Sequence, residues 1–306
     1  MELALGTVQF GLDYGVSNQT GQVNHSTIEL ILSSAHSSGI ETLDTASAYG
    51  NSEQALGRIA ASQAFQIITK VPKLAPKATS LLPFVEQSLA NLKRDKLDAV
   101  MFHHADDLII HQHCDVLYKE LEALKKQGVI KRIGVSLYHP EQWHQLKNNF
   151  KLDLLQVPVN ALDQRFVSEK LINDYHAYGV KLHCRSAFLQ GLLLMTSSKR
   201  PSYFQPFAIE LNTFDQIASA LNCSHLALCL ACLHYFAQQT KALSDGDDNL
   251  LESIVVGCCS VEQLDEIIEA NKLATSLLPK LSDSQLTKLA STRQALINPS
   301  LWQVVK

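Results

Sequence analysis

Three titratable residues close three successive apolar runs of this 306-residue sequence. Asp44 leads into Thr45-Ala46-Ser47-Ala48-Tyr49-Gly50, Lys70 sits in Ile68-Thr69-Lys70-Val71-Pro72, and His103 ends Val100-Met101-Phe102-His103-His104. Tyr49 follows Asp44 by five residues. Carboxylate, ammonium, imidazole and phenol are the groups that pass protons to and from a reacting molecule. One charged residue at the end of an apolar run is an ordinary solvated cap. Three in order along the chain, each embedded in apolar residues, are not explained that way and point to a shared site.

Two other constellations carry less. Cys229-x-x-Cys232 has a redox or half-zinc spacing, but it lies in a helical stretch with Leu226, Leu228, Leu230 and Leu233 and has no second pair at a ligand spacing. Buried core thiols are expected there. Cys258-Cys259 suits tight packing of small residues. His103, His104, His111 and His113 with Asp106 and Asp107 form a cluster, yet a metal site needs imidazoles converging from strand ends. His111 and His113 fall in the segment leading to the next helix, so no metal is expected.

The elements that must hold these residues are short β-branched runs alternating with amphipathic stretches. Strands are expected at Leu3–Thr7, Glu41–Ala46, Phe65–Val71, Leu97–His104, Lys131–Leu137, Leu152–Val159, Lys181–Ala187 and Ser253–Cys258. Helical period places Ile28, Ile31, Leu32 and Ala35 on one face, Leu82, Val85, Leu89 and Leu92 on another, and Leu117, Leu121 and Leu124 on a third, with Gly128 as a stop. Such β-then-α units either close into a (β/α)8 TIM barrel or lie open as a doubly wound sheet. No G-x-G-x-x-G follows an early strand, so the open dinucleotide-binding sheet lacks its signature. The count of eight favours an α/β fold of the barrel kind, one domain over residues 1–306. Catalytic groups of barrels come from the C-terminal strand ends, where Asp44, Lys70 and His103 fall. Two polar insertions, Thr196–Pro206 after the seventh strand and Gln238–Leu250 before the eighth, are expected as loops at the active and inert ends.

Along this frame the sequence resembles the aldo-keto reductases from Leu5 to about Ala270. The resemblance is carried by Gly6-Thr7-x-x-Phe10, Asp44-Thr45-Ala46-x-x-Tyr49-Gly50, Thr69-Lys70-Val71, Asp98-x-x-x-x-His103, Ile133-Gly134-Val135-Ser136, Leu155-Gln156-Val157-Pro158-Val159-Asn160, Arg185-Ser186-x-Phe188-Leu189-Gln190-Gly191 and Val256-Gly257-x-x-Ser260-x-Glu262-Gln263-Leu264. It implies reversible reduction of aldehydes or ketones by NADP(H), with NAD(H) left open, and a tetrad of Asp44, Tyr49, Lys70 and His103. Hydride arriving at a carbonyl carbon leaves charge on oxygen, which Tyr49 would protonate. Lys70 would lower the phenol pKa, Asp44 would hold Lys70, and His103 would bond the substrate oxygen. His103 rather than His104 takes this role because it stands five residues after Asp98, as in the family pattern.

The same resemblance lays out the cofactor track. Ser136 and Gln156 would bond the nicotinamide carboxamide; Ser186, Phe188, Leu189, Gln190 and Gly191 would follow the pyrophosphate. Gly257 and Cys259 would lead into a helix whose N-terminus suits an anionic phosphate, and Gln263 and Glu266 would flank the adenosine. Gly6, Thr7, Asp44 and Arg185 complete the set. Pocket candidates are Phe10, Tyr14, Ala48, His104, Leu137 and Tyr138. Leu137 stands where many members have Asn or Arg, and Gly257, Cys258 and Gln263 replace basic residues that hold the 2′-phosphate. Gly and Gln also occur there in a branch that includes potassium-channel beta subunits and still favours NADPH. Lys199 and Arg200 either compensate or are solvated loop charges. The opening Leu5 to Gly15 is similar to a bacterial subgroup associated with sugar modification, so a small carbonyl or sugar-like substrate is expected.

Composition agrees with such a role. Hydrophobic residues make up 46%, which excludes disorder, and the net charge of -4 excludes binding driven by nucleic-acid phosphates. Met1-Glu2-Leu3-Ala4 has no basic n-region, the longest apolar stretch is too short for a membrane, and seven cysteines suggest reduced thiols. A cytoplasmic protein is expected, with no membrane or nucleic-acid partner. A different class of role, a cofactor-binding regulatory or partner-binding protein on the same scaffold, would be favoured by losses among Asp44, Tyr49, Lys70 and His103; none is lost.

Overall fold

Eight parallel strands pair each with the next, and the last closes on the first. They are β1 (Glu2–Gly6), β2 (Thr42–Asp44), β3 (Gln66–Val71), β4 (Leu97–Phe102), β5 (Ile130–Ser136), β6 (Leu154–Pro158), β7 (Lys181–Arg185) and β8 (Leu251–Gly257). The computed structural model describes residues 1–243 and 249–303. Parallel neighbours need crossovers, and helices supply them, so the fold is the expected (β/α)8 barrel.

Local sequence explains the helices. His25–Ser37 buries Ile28, Ile31, Leu32 and Ala35, and the Asn24 side chain caps it by accepting from the Thr27 N–H. Leu82–Leu92 buries Val85, Ser88 and Leu92, while Leu82 and Leu89 are half-buried. Cys114–Lys126 buries Leu117, Tyr118 and Leu121. Gly128 follows it at φ 74°, and Gly179 ends Glu169–Tyr178 at φ 65°, left-handed positions that favour glycine. The Thr196–Pro206 segment is not an open loop: it forms short turns of helix at Ser197–Lys199 and Ser202–Phe207 and runs into Ala208–Ala220. Of the second expected loop, residues 238–242 belong to the helix His225–Ala242, and residues 244–248 lie outside the described residues. Cys229 and Cys232 are fully buried in that helix, and burial pushes the Cys232 thiol up to about 12. Among the described residues no single helix is long and apolar enough to cross a membrane.

The barrel interior is layered. Ile68, Ala99, Met101 and Leu154 form its middle, with Gly134 leaving room for the Met101 side chain, which a Cβ would approach to 3.0 Å. At the N-terminal end Arg132 of β5 reaches Glu252 of β8 at 2.8 Å, and His183 of β7 meets the same carboxylate at 3.0 Å. At the other end the register aligns Gly6 with Asp44 and with Gly257, Ser136 with Gln156, and Pro158 with Arg185 on one rim. That rim carries the site.

Candidate active site

β2 and β3 set the centre. Lys70 is fully buried, and its Nζ donates to Asp44 Oδ2 at 2.7 Å and to the Thr45 carbonyl at 2.9 Å. Gln156 Nε2 donates to the other Asp44 oxygen at 2.7 Å, so the buried carboxylate has a partner on each oxygen. The segment after β2 is pinned at several points: Thr45 N–H bonds the Ile68 carbonyl, Ser47 Oγ bonds the Lys70 carbonyl, and Ser52 Oγ bonds Thr7 Oγ1 at 2.8 Å. A Cβ on Gly11 would lie 1.8 Å from the Tyr49 carbonyl oxygen, so this loop and the turn after β1 touch backbone to backbone. Tyr49 is thereby held with its ring edge-on to His103, centroids 5.7 Å apart, and with Lys70 Nζ 5.1 Å from its ring centroid.

The electrostatics differ from the expected lowering of the phenol. Burial, then the charge of Asp44, push Tyr49 well above the ordinary phenol value. The Lys70 ammonium gives its hydrogen bonds to Asp44 and Thr45, and its charge is offset by the carboxylate beside it. Burial pulls Lys70 itself down while Asp44 opposes. Burial, then the Lys70 charge, bring His103 down to about 3, so its imidazole is neutral, with Nδ1 buried and unpartnered.

These groups open into a cavity of about 520 Å³ across the C-terminal rim, a size typical of small-ligand sites. Asp44, Tyr49 and His103 line it, and Lys70 stands behind Asp44. Of the residues expected along a cofactor, Gly6, Thr7, Ser136, Gln156, Arg185, Ser186, Phe188, Gln190, Gly191, Gly257, Cys259, Gln263 and Glu266 line it as well. Leu189 does not: the chain turns through φ 45° there and buries the side chain completely. Among the pocket candidates Tyr14 and Tyr138 face the cavity, and the rest need correction. Phe10 is fully buried because the short helix Val8–Gly11 turns it to the core. Leu137 is fully buried, one residue out of phase with Ser136. Ala48 is exposed on the loop, and His104 is half-buried outside the lining, stacked on Tyr138 with centroids 6.4 Å apart.

Residues not foreseen also contribute. Gln9 follows β1, lines the cavity and has its Oε1 buried without a partner; a Cβ on Gly257 would strike that amide at 2.6 Å. Its place two residues after Thr7 was the available signal. Ser17 and Asn18 also line the wall; the Val16 N–H bonds the Gln190 carbonyl at 3.1 Å and Gln190 Nε2 bonds the Tyr14 hydroxyl at 3.2 Å, so the segment after β1 lies against the turn after β7. At the far end Ser260 caps the helix Val261–Leu277 by accepting from the Gln263 N–H, and Gln263 Oε1 accepts from the Cys259 N–H at 2.8 Å. No Lys or Arg lines this end among the described residues: Arg200 is paired with Asp215 at 2.9 Å and Lys199 is exposed, and neither lines the cavity. His111 bonds the Ala75 carbonyl at 2.9 Å, and no group of three His, Cys, Asp or Glu suited to a metal occurs among the described residues.

A profile of the Aldo/keto reductase family matches residues 2–290. The chain belongs to the aldo/keto reductase family. Among solved structures it is similar to aldo-keto reductase AKR11C1 from Bacillus halodurans in its holo form, with TM-score 0.69 and 20% identity, covering 99% of this chain and 94% of that one. At that identity the likeness speaks for the fold. Uncharacterized oxidoreductase YqkF of Bacillus subtilis (strain 168) is 23% identical over 289 residues, 88% of this chain and 86% of that protein. Oxidoreductase YdhF of Escherichia coli (strain K12) is 27% identical over 133 residues, and that match spans only 42% of its length and 43% of this chain. Membership of the aldo/keto reductase family and these oxidoreductase relatives support an oxidoreductase.

Proposed function

We propose that this aldo/keto reductase, working as one barrel domain, reduces an aldehyde or ketone to an alcohol with NADPH, Tyr49 giving the proton. The observation that carries the reading is the Tyr49 phenol lining the cavity, edge-on to the His103 ring and backed by the buried Asp44–Lys70 pair. When bound, NADPH supplies the hydride. Tyr49 then holds the proton that the carbonyl oxygen takes up, and its raised pKa keeps the proton in place until charge develops on that oxygen. His103, neutral, offers a hydrogen bond that orients the oxygen. Lys70, its charge offset by Asp44, holds the frame behind Tyr49 through Asp44 and the Thr45 carbonyl, and Gln156 holds the other Asp44 oxygen.

The residues present fit a dinucleotide. The buried Gln9 Oε1 lacks a donor, Gly257 makes room for the Gln9 amide at the cavity wall, and the helix Val261–Leu277 begins beside that wall, where its N-terminus would suit a phosphate. Ser136 and Gln156 would hold the nicotinamide end, and Gln263 and Glu266 the adenosine. With no Lys or Arg lining the adenosine end among the described residues, the preference for NADPH over NADH is expected to stay below about tenfold. Titrating intrinsic fluorescence with each cofactor, then following NADPH absorbance over a panel of carbonyl compounds, tests the reading. Binding in the micromolar range with turnover supports it. Binding of neither cofactor overturns it, and tighter binding of NADH removes the stated preference.

A further inference from the structure

A guanidinium carries its charge at every working pH, and it pairs best with an anionic oxygen. Arg185 closes β7, half-buried in the cavity wall. Its Nη2 donates to the Leu137 carbonyl at 3.0 Å and its Nη1 to Ser186 Oγ at 3.3 Å, both neutral acceptors. Its Nε is buried with no partner, and no carboxylate lies within salt-bridge distance among the described residues. The group lies over the Tyr138 ring, 4.4 Å from its centroid, which fixes its plane without cancelling its charge. The buried cation nearest to it in this site, Lys70, is by contrast paired with Asp44 at 2.7 Å. One positive charge is therefore left in the wall shared with Tyr14, Tyr49 and His103. A neutral aldehyde would leave it unmatched.

We propose that Arg185 is a substrate-recognition residue, and that the carbonyl compound reduced here carries an anionic oxygen group, a carboxylate or a phosphate, which docks on Arg185 while its carbonyl faces Tyr49. The inference rests on the reductase reading above. The Tyr14 hydroxyl accepts from Gln190 Nε2 at 3.2 Å, which leaves its own proton free to give the same anion a second hydrogen bond. The other source of an anion is the cofactor's own phosphate, and the two sources are separable.

The test compares matched probes in wild type, Arg185→Met and Arg185→Lys: succinic semialdehyde against butanal, and glyceraldehyde phosphate against glyceraldehyde, with the NADPH dissociation constant measured for each variant. Wild type should favour one or both anionic probes by about 10- to 100-fold in kcat/KM, the worth of a charge-assisted hydrogen bond. Arg185→Met should bring that ratio to about one, and Arg185→Lys should restore part of it. Which probe pair shows the preference distinguishes carboxylate from phosphate. Equal kcat/KM for charged and neutral probes in active wild type overturns the proposal. So does an Arg185→Met variant that weakens NADPH binding with the probe ratio intact, since Arg185 then serves the cofactor. If wild type reduces none of the probes, cofactor binding decides the reductase reading separately, and thermal shifts with hydroxybutyrate against butanol and glycerol phosphate against glycerol decide the anion site. A stabilising shift with an anion, lost in Arg185→Met, then sustains it, and no such shift overturns it.

Discussion

At the scale of single residues the site depends on how burial changes protonation. His103 has its imidazole held down to about 3, against about 6.5 for a free histidine. Between those values the unfolded chain binds a proton that the folded chain refuses. The histidine's contribution to stability is therefore present above about pH 6.5 and lost as pH falls toward about 3. Thermal melts over this range should show Tm falling with acid, and His103→Gln should flatten that slope; an unchanged slope in the variant contradicts the assignment. Lys70→Met leaves the Asp44 carboxylate buried with Gln156 as its remaining side-chain donor. The expected loss is about 3–5 kcal/mol together with most of the activity. Denaturant unfolding reads the first quantity, and a change below about 1 kcal/mol would mean the pair is far less costly to break than its burial implies.

The elements translate these chemical demands into backbone contacts. Gly11 and the Tyr49 carbonyl touch so closely that Gly11→Ala, whose Cβ would lie 1.8 Å from that oxygen, must move the loop that carries Tyr49. Activity should fall by at least about tenfold with a lower Tm, in the range of overpacking effects of 1–3 kcal/mol; a fully active Gly11→Ala would show the loop to be placed by other contacts. The strands were legible because each is an apolar run long enough to cross a buried parallel sheet. Their ends were less so: β2 stops at Asp44 rather than Ala46, since Thr45 and the residues after it turn away to be pinned by Ile68 and Lys70 carbonyls from the next strand. The alternation along β5 could have excluded Leu137, because Ser136 faces the cavity and its neighbour must face the helices. Phe10 was not legible in that way. A helix of four residues has too little period to show in sequence that Phe10 turns to the core while Gln9 faces the cavity. The raised pKa of Tyr49 was also hidden, because it depends on burial and on the nearby Asp44 charge at the end of β2 rather than on residue types.

Over the whole molecule the barrel divides its labour between two ends. Arg132, Glu252 and His183 tie β5, β7 and β8 together at the N-terminal end, away from the cavity, with Glu252 held down to about 2; its burial, which opposes that shift, is outweighed by hydrogen bonds from His183 and Arg132 and by their charges. Glu252→Ala leaves Arg132 without its carboxylate and should cost about 2 kcal/mol, a buried-pair loss discounted for partial exposure, with turnover unchanged. Calorimetry beside an activity assay separates these, and a loss of turnover without loss of stability would link the two ends. At the C-terminal end the claim that matters most is that the Tyr49 hydroxyl supplies the proton. Tyr49→Phe keeps the ring edge-on to His103 and removes only that oxygen, so NADPH binding and Tm should stay close to wild type. Single-turnover mixing of the NADPH complex with an aldehyde that wild type reduces measures the step directly. The account predicts that NADPH oxidation slows by at least about 10²-fold in Tyr49→Phe; oxidation at the wild-type rate would show that another group supplies the proton and would contradict it.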